Sequence, residues 1–275
     1  MRVRMLINGL PGDAVSAMDR GLSYGDGLFE TIRFAGEAAP LWSRHMQRLD
    51  ESCRRLRLPV PAARQLLREA REVAHDMRQS VVRITLTRGV GARGYAPPVS
   101  PQATRVVAAF EPPMMDGDAY IQGIRMRVCA TRLAEQPLLA GMKHLNRLEQ
   151  VLARAEWNDP ALAEGVLCDV HGRVISATMA NLFAVVDGRL ITPALDRCGV
   201  AGVARAEVLA ACPEAQVGEL TLDALRNASE VFLSSSVRGI LPVRSLGERN
   251  YVPGDVTRHL QRHWHNLGFS MEQGG

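Results

Sequence analysis

The stretch Ser80-Val81-Val82-Arg83-Ile84-Thr85-Leu86-Thr87-Arg88 constrains the fold most, because β-branched residues dominate it and it runs straight into Gly89-Val90-Gly91-Ala92-Arg93-Gly94. Residues of that kind favour a strand. A Gly-x-Gly-x-x-Gly after a strand marks a dinucleotide-binding turn only if a helix follows, since the helix N-terminus holds the pyrophosphate. Here Tyr95-Ala96-Pro97-Pro98-Val99-Ser100-Pro101 follows. Prolines so closely spaced cannot open a helix, for want of backbone N–H groups and for steric reasons. The nucleotide-binding reading is therefore set aside. The glycines are read instead as a flexible loop presenting Arg88, Arg93 and Tyr95. Guanidinium forks match carboxylates, so this loop is a candidate site for an acidic small molecule. Arg88 is the weaker candidate, and packing within the loop is the competing reading for Arg88 and Tyr95.

A second strand, Thr104 to Phe110, leads into Glu111-Pro112-Pro113-Met114-Met115-Asp116-Gly117-Asp118. Its prolines, its glycine and its break in periodicity mark a linker. The expected organisation is an N-terminal α/β domain over 1–110, a linker over 111–118 and a C-terminal domain over 119–275. A chain of 275 residues that is 47% apolar can fill both. Before the linker the pattern predicts a strand over 4–8, a glycine-made bend around Tyr24 and a strand from Leu28 to Phe34. Helices follow, one capped by Ser43 and carrying Met46, Leu49, Cys53 and Leu56 on one face, the other from about Ala62 to Met77. After the linker it predicts strands over 124–131 and 164–169, an extended run from Val174 and Ile175 continuing to Val186, and strands over 189–192, 230–233 and 240–244. Asp187-Gly188 is a two-residue hairpin signal. Helices are expected to about Trp157, over 205–211 and over 254–267.

The chain carries a formal charge of +4, with basic and acidic residues interleaved. That pattern fits a solvated surface with one basic pocket at most, and argues against a nucleic-acid footprint. Its cysteines, Cys53, Cys129, Cys168, Cys198 and Cys212, are odd in number and widely spaced. Neither a disulfide framework nor a metal site is expected from them. No apolar run suggests a signal peptide or approaches the roughly 18 residues of a membrane span. A cytoplasmic protein without a membrane partner is the expectation.

Three features suggest chemistry. Lys143 stands alone between an extended segment ending at Gly141 and a stretch where Leu145, Leu148 and Leu152 follow a helical spacing. A lone lysine there is ordinarily a surface residue. Cys198-Gly199-Val200-Ala201-Gly202-Val203-Ala204 opens a helix, and a glycine-rich helix start with free N–H groups can bind an anion, though it can also be a tight turn. Ser234-Ser235-Ser236 ends a strand, where hydroxyls can donate to phosphate oxygens or simply be solvated. A buried lysine with such neighbours can form a Schiff base with an aldehyde cofactor.

Taken together, these segments resemble the fold-type IV pyridoxal-phosphate enzymes, the group holding branched-chain and D-amino acid aminotransferases and aminodeoxychorismate lyases. The resemblance spans nearly the whole chain. Lys143-His144-Leu145-Asn146-Arg147-Leu148-Glu149-Gln150 and Arg88-Gly89-Val90-Gly91-Ala92-Arg93-Gly94-Tyr95 look like the lyases in particular. Tyr24-Gly25-Asp26-Gly27-Leu28-Phe29-Glu30 and Ala180-Asn181-Leu182-Phe183 are shared more widely across the fold. The resemblance implies two α/β domains with pyridoxal 5′-phosphate between them, a homodimer, and a small-molecule substrate. It implies that Lys143 is the Schiff-base lysine and that Arg48, in His45-Met46-Gln47-Arg48-Leu49, binds cofactor phosphate. Gly202, Val203 and Ala204 match the phosphate cup at the helix start, and Ser235 and Ser236 its second wall. Arg93, Tyr95, Arg88, Tyr24 and Thr31 are the implied substrate residues, Thr31 or a water being a candidate for protonating the leaving group. The implied reaction converts 4-amino-4-deoxychorismate to 4-aminobenzoate and pyruvate. The alternatives are an aminotransferase of the same fold and a cofactor-carrying protein with little turnover.

Two positions depart from the family pattern. Ser176 falls where the family usually has a glutamate facing the pyridine nitrogen. A carboxylate there keeps the nitrogen protonated and the ring a strong electron sink; a serine can only hydrogen-bond. Transamination needs a carbanion that lasts long enough to be reprotonated at the cofactor, whereas elimination driven by aromatisation needs it less. Ser176 therefore weakens the aminotransferase reading more than the lyase reading. Ala204 stands where aminotransferase relatives often have a phosphate-binding threonine, so one bond of the cup is missing or comes from Ser236.

Overall fold

The computed structural model describes residues 4–114 and 117–269. The chain forms two compact units: residues 1–113 with 142–146, and residues 114–141 with 147–275. The first unit thus includes a short piece of chain, Met142–Asn146, from further along the sequence.

In the first unit, β1 (Arg4–Ile7), β2 (Leu10–Pro11), α1 (Arg20–Tyr24), β3 (Gly27–Ala35), α2 (Trp42–Leu56), α3 (Ala63–Ala74), β4 (Gln79–Thr87) and β5 (Thr104–Phe110) follow in order. The strands form one sheet in the order β2-β1-β5-β4-β3. Its neighbours are antiparallel, with Glu30 opposite Ile84 and Ile84 opposite Val107. Alternation along a strand sends Leu28, Ile32 and Phe34 to one face, and all three are buried with Val82, Ile84 and Leu86. α3 buries Leu66, Ala70, Val73 and Ala74, a helical spacing. Its buried Glu69 holds Arg105 of β5 through two bonds of 2.6 and 2.7 Å.

Two local expectations differ from the structure. The glycine-rich stretch around Tyr24 holds a short helix, capped at its start by the Asp19 side chain and ended by Gly25 at φ 65°. α2 begins one residue before Ser43, after Leu41, with no side-chain cap. Its first turn is fastened by the Trp42 N–H to the Ala39 carbonyl instead.

The second unit contains α4 (Gly117–Ile121), β6 (Ile124–Leu133), α5 (Leu148–Arg154), β7 (Leu162–Asp169), β8 (Val174–Ala177), β9 (Asn181–Val186), β10 (Arg189–Pro193), α6 (Val203–Ala211), β11 (Gln216–Gly218), α7 (Leu222–Asn227), β12 (Glu230–Ser235), β13 (Gly239–Leu246), β14 (Arg249–Asn250) and α8 (Asp255–Asn266). Its sheet runs β11-β10-β9-β12-β13-β6-β7-β8, with β14 on β13. One face packs Val166, Cys168, Leu182, Ala184, Val231 and Leu233 into a continuous core. On the other, Phe183 and Phe232 stack with centroids 5.0 Å apart, worth about 1 kcal/mol beyond the area they bury. The β9–β10 hairpin turns on Asp187 and Gly188, both at positive φ, as a two-residue connection of this twist requires. Gly254 opens α8 without a side chain, and the Glu230 carboxylate caps that helix by accepting from the Val256 and Thr257 N–H groups.

α5 is shorter than the spacing predicts, ending at Arg154 rather than near Trp157. Its apolar stripe does not enter the core: Leu148, Val151 and Leu152 are 75%, 59% and 62% exposed. All five cysteines are free thiols and buried. Among the described residues no helix is long and apolar enough to cross a membrane.

Candidate active site

In the first unit, residues 142–146 lie along the start of β3. The Phe29 N–H donates to the Lys143 carbonyl at 2.9 Å, and the Leu145 N–H donates to that of Gly27 at 3.0 Å. Leu28 and His144 form an antiparallel bridge. The two glycines flanking Asp26 make this approach possible. A Cβ on Gly25 would lie 2.3 Å from the Asn146 side-chain oxygen, and one on Gly27 would lie 2.4 Å from the Leu86 carbonyl oxygen. Lys143 is half-buried, with its Nζ 4.2 Å from the centre of the Phe29 ring. Thr31 lies two residues along β3 from Phe29 and so on the same face of the sheet.

The opposite face of β3 carries Glu30, which is 1% exposed. α2 brings His45 and Arg48, one turn apart, onto its carboxylate. Arg48 Nε donates to Glu30 Oε1 at 2.9 Å, and Arg48 Nη2 donates to Oε2. His45 Nδ1 is 2.7 Å from that same Oε2. Burial alone would raise the Glu30 pKa; the Arg48 charge and the His45 bond overturn this and hold it at about 2. Burial lowers the His45 pKa, Glu30 opposes that shift, and the charges of Arg48 and Lys143 add to it. A neutral imidazole is favoured there, beside two cations. Arg48 is thus aligned by a bidentate grip on one edge of its fork.

The glycine-rich loop that precedes the prolines is pinned by side chains of the first unit. Asp26 accepts from Arg88 Nε at 2.8 Å and from Arg20 Nε at 2.9 Å. Arg88 also donates to the carbonyls of Leu56 and Arg57 at 2.9 Å each, and it is 7% exposed. Its fork is turned into the fold rather than toward solvent. Arg20 reaches the carbonyls of Gly94 and Tyr95 at 2.9 and 3.0 Å. The Tyr24 hydroxyl accepts from the Gly94 N–H at 3.1 Å, and the Tyr24 and Tyr95 rings lie 5.5 Å apart. Arg93 and Tyr95 are exposed. Sequence reasoning missed Arg20 and Asp26 as the fastening of this loop.

In the second unit, the loop opening α6 and the turn after β12 meet at one end of the sheet. β9 and β12 are paired with Asn181 opposite Ser234. The Asn181 side chain donates to the Val200 carbonyl at 2.9 Å, and its oxygen fills the space a Cβ on Gly202 would need, 2.0 Å away. Gly202 is the N-cap of α6, and no side chain caps that helix. Val203 and Ala204 are buried in its first turn. Gly141 lies opposite Val200, its N–H donating to the Gly199 carbonyl at 3.0 Å and its carbonyl accepting from the Ala201 N–H at 2.9 Å. On the other wall, the Ser235 hydroxyl oxygen accepts from the N–H groups of Val237 and Arg238 at 3.2 Å each. The Ser234 hydroxyl, 1% exposed, has no hydrogen-bond partner. Ser176 lies on β8 opposite Leu167 and is 8% exposed. Arg147, at the start of α5, was missed from sequence; burial lowers its pKa to about 10 against the pull of Glu149.

These features suit a phosphorylated aldehyde cofactor. An uncapped helix start carries partial positive charge and aims N–H groups outward. The orphaned Ser234 hydroxyl sits beside Asn181, which covers that helix start. Lys143 supplies an amine and Arg48 a fixed cation. Within the second unit, Gly202–Ala204 with Ser234, Ser235 and Ser236 could hold a phosphate; within the first, Lys143 offers an amine and Arg48 a cation. A cavity of about 190 Å³ lined by Asp169, Arg173 and Glu219 contains none of them.

Comparison with known proteins agrees. Residues 27–246 match the amino-transferase class IV family. The aminodeoxychorismate lyase of Vibrio harveyi is 37% identical over 263 residues, 93% of this chain and 97% of the relative. The crystal structure of 4-amino-4-deoxychorismate lyase from Pseudomonas aeruginosa superposes with a TM-score of 0.91 at 44% identity, covering 95% of this chain and 98% of that one. The branched-chain amino acid aminotransferase of T.th., solved with pyridoxamine 5′-phosphate, gives a TM-score of 0.83 at 26% identity, covering 95% and 92%.

Proposed function

We propose that this chain, which belongs to the amino-transferase class IV family, is a pyridoxal-phosphate-dependent lyase that converts 4-amino-4-deoxychorismate to 4-aminobenzoate and pyruvate. The observation that carries the reading is the setting of Lys143, held by backbone bonds against β3 with its amine over the Phe29 ring. Likeness to lyases in both sequence and structure supports it.

When bound, pyridoxal phosphate supplies an electron-withdrawing ring conjugated to the amine-bearing carbon of the substrate. The rest falls to this chain. Arg48, Gly202, Val203, Ala204, Ser235 and Ser236 would hold the phosphate, and Ser176 would offer the ring nitrogen a hydrogen bond without fixing a proton there. The Lys143 amine takes the proton from the amine-bearing carbon. The bond from the ring to the enolpyruvyl oxygen then breaks, the ring becomes aromatic, and the departing enol takes a proton and becomes pyruvate. Thr31, on the Lys143 face of β3, or a water delivers that proton. Arg93 and Tyr95, both exposed, bind substrate carboxylates, and Tyr24 holds their loop through Gly94. Arg88 serves that loop through Asp26.

We read the enzyme as a homodimer in the cytoplasm. The solvent-facing stripe of Leu148, Val151 and Leu152 on α5 supports a second copy, and buried free thiols suit a reducing compartment. Likeness to aminotransferases keeps one alternative, against which Ser176 counts. The test is formation of fluorescent 4-aminobenzoate from enzymatically generated aminodeoxychorismate. We expect Lys143→Ala to abolish it; equal rates with and without that lysine would overturn the proposal.

A further inference from the structure

The turn that follows β12 is held by a buried carboxylate that the reaction above does not use. Ser235 pairs with Gly239 across the β12–β13 hairpin, leaving Ser236, Val237 and Arg238 as its loop. Gly239, at φ 71°, supplies the left-handed residue such a three-residue loop needs. Arg238 leaves this loop and turns inward. Its Nη1 is 3.3 Å from Glu164 Oε1, with side-chain exposures of 21% and 0%. The Tyr120 hydroxyl donates to the Arg238 carbonyl at 2.8 Å. The other oxygen of Glu164 accepts from the Thr178 N–H at 3.1 Å and from the Thr178 hydroxyl.

Thr178 lies in the connection from β8 to β9, two residues after Ser176 and three before Asn181. One carboxylate therefore ties together the connection bearing the ring-nitrogen position and the turn bearing the second wall of the cup. A fully buried carboxylate is costly unless it is paired and hydrogen-bonded. Here both oxygens are engaged, and each partner sits on an element that carries a candidate cofactor contact.

We infer that Glu164, through Arg238 and Thr178, is a positioning residue that sets the Ser235–Ser236 wall against cofactor phosphate. The inference rests on the phosphate-cup reading given under Proposed function. It adds that the wall's geometry is dictated from the core behind it rather than by the serines alone. The Arg238 arm of this brace reaches the phosphate wall and not the ring-nitrogen position, which gives it a signature that a merely structural ion pair lacks.

The experiment compares full-length wild type, Glu164→Gln, Arg238→Met and Arg238→Lys for their dissociation constants with pyridoxal 5′-phosphate and with pyridoxal. Both are followed by the visible absorbance of the lysine-bound aldehyde. Wild type should prefer the phosphorylated form strongly. Glu164→Gln and Arg238→Met should each lose about tenfold of that preference, the cost of one charge-assisted hydrogen bond, and in Arg238→Met pyridoxal affinity should stay within about twofold. Arg238→Lys, which keeps the charge but loses the fork, should recover part of the loss. A wild type that binds both forms equally would sink the cup reading itself. A wild type that discriminates, with variants that keep its preference or weaken for both forms alike, would overturn the brace and leave the cup standing. If Glu164→Gln or Arg238→Met does not fold, Tyr120→Phe and Arg238→Lys decide the matter by the same ratio: a reduced preference supports the brace, an unchanged one overturns it.

Discussion

Replacing Glu30 by glutamine should uncouple the first unit from acid. In the native protein this carboxyl titrates at about 2 against an ordinary 4.5. At about 1.36 kcal/mol per unit, that difference stabilises the folded state by about 3 kcal/mol at neutral pH. The sign follows from the lowered value: the contribution is fully present above pH 4.5 and is lost as the pH falls from there toward 2. His45 acts in the same direction from higher pH, because a buried imidazole with a lowered pKa resists the charge it would gain below 6.5. Glutamine keeps the shape and an acceptor but removes the counter-charge from the partly buried Arg48. Removing one partner of such a pair costs roughly 3–5 kcal/mol. Urea unfolding of wild type and Glu30→Gln, measured from pH 7 to pH 3, should show a gap of that size at neutral pH that narrows as the solution is acidified. Because Arg48 loses its alignment, affinity for pyridoxal 5′-phosphate should fall as well. Equal stability at pH 7, or a gap that does not change with pH, would refute the assignment of Glu30 as the charged partner of Arg48.

Other substitutions separate binding from folding. Arg88→Met removes the fork that engages Asp26 and two carbonyls, and should cost roughly 3 kcal/mol of stability in the same urea assay. Arg93→Ala, at an exposed position, should change stability by less than about 0.5 kcal/mol yet raise KM for the substrate about tenfold; an unchanged KM removes it from the substrate site. Gly202→Ala drives a Cβ into the Asn181 side chain. It should weaken the phosphorylated cofactor far more than pyridoxal in absorbance titrations, and equal weakening would count against an anion site at α6. Ser176→Glu should protonate the ring nitrogen and increase transamination relative to elimination. An unchanged product ratio would dispose of the argument built on that serine.

Much of this arrangement could be read along the chain, since periodicity is local. The apolar alternation of Leu28, Ile32 and Phe34, the Asp187-Gly188 hairpin and the glycine start of α6 all carry their signal within a few residues. The prolines after Gly94 correctly removed the nucleotide fold for the same reason. The misses are contacts across long sequence separations. Glu30 on the buried side of an apolar strand was a visible signal, because an acid there demands a cation, and Arg48 supplies it from 18 residues away. Asp26 and Arg88 are separated by 62 residues, and Glu164 and Arg238 by 74; nothing in either neighbourhood announces the other. The helical spacing of Leu148 and Leu152 predicted an apolar face correctly but not where it points. The start of α2 was misplaced because Ser43 has the chemistry of a cap, whereas the chain uses a backbone turn from Ala39.

The account stands most directly on a mass balance. Purified protein loaded with pyridoxal phosphate would be given aminodeoxychorismate, and separately a panel of branched-chain and D-amino acids, with Lys143→Ala as control. The lyase assignment predicts 4-aminobenzoate and pyruvate in equal amounts, only with Lys143 intact, and no keto acid from the panel. Keto acid accumulating with the pyridoxamine form of the cofactor, and no 4-aminobenzoate, would contradict it and make the chain an aminotransferase.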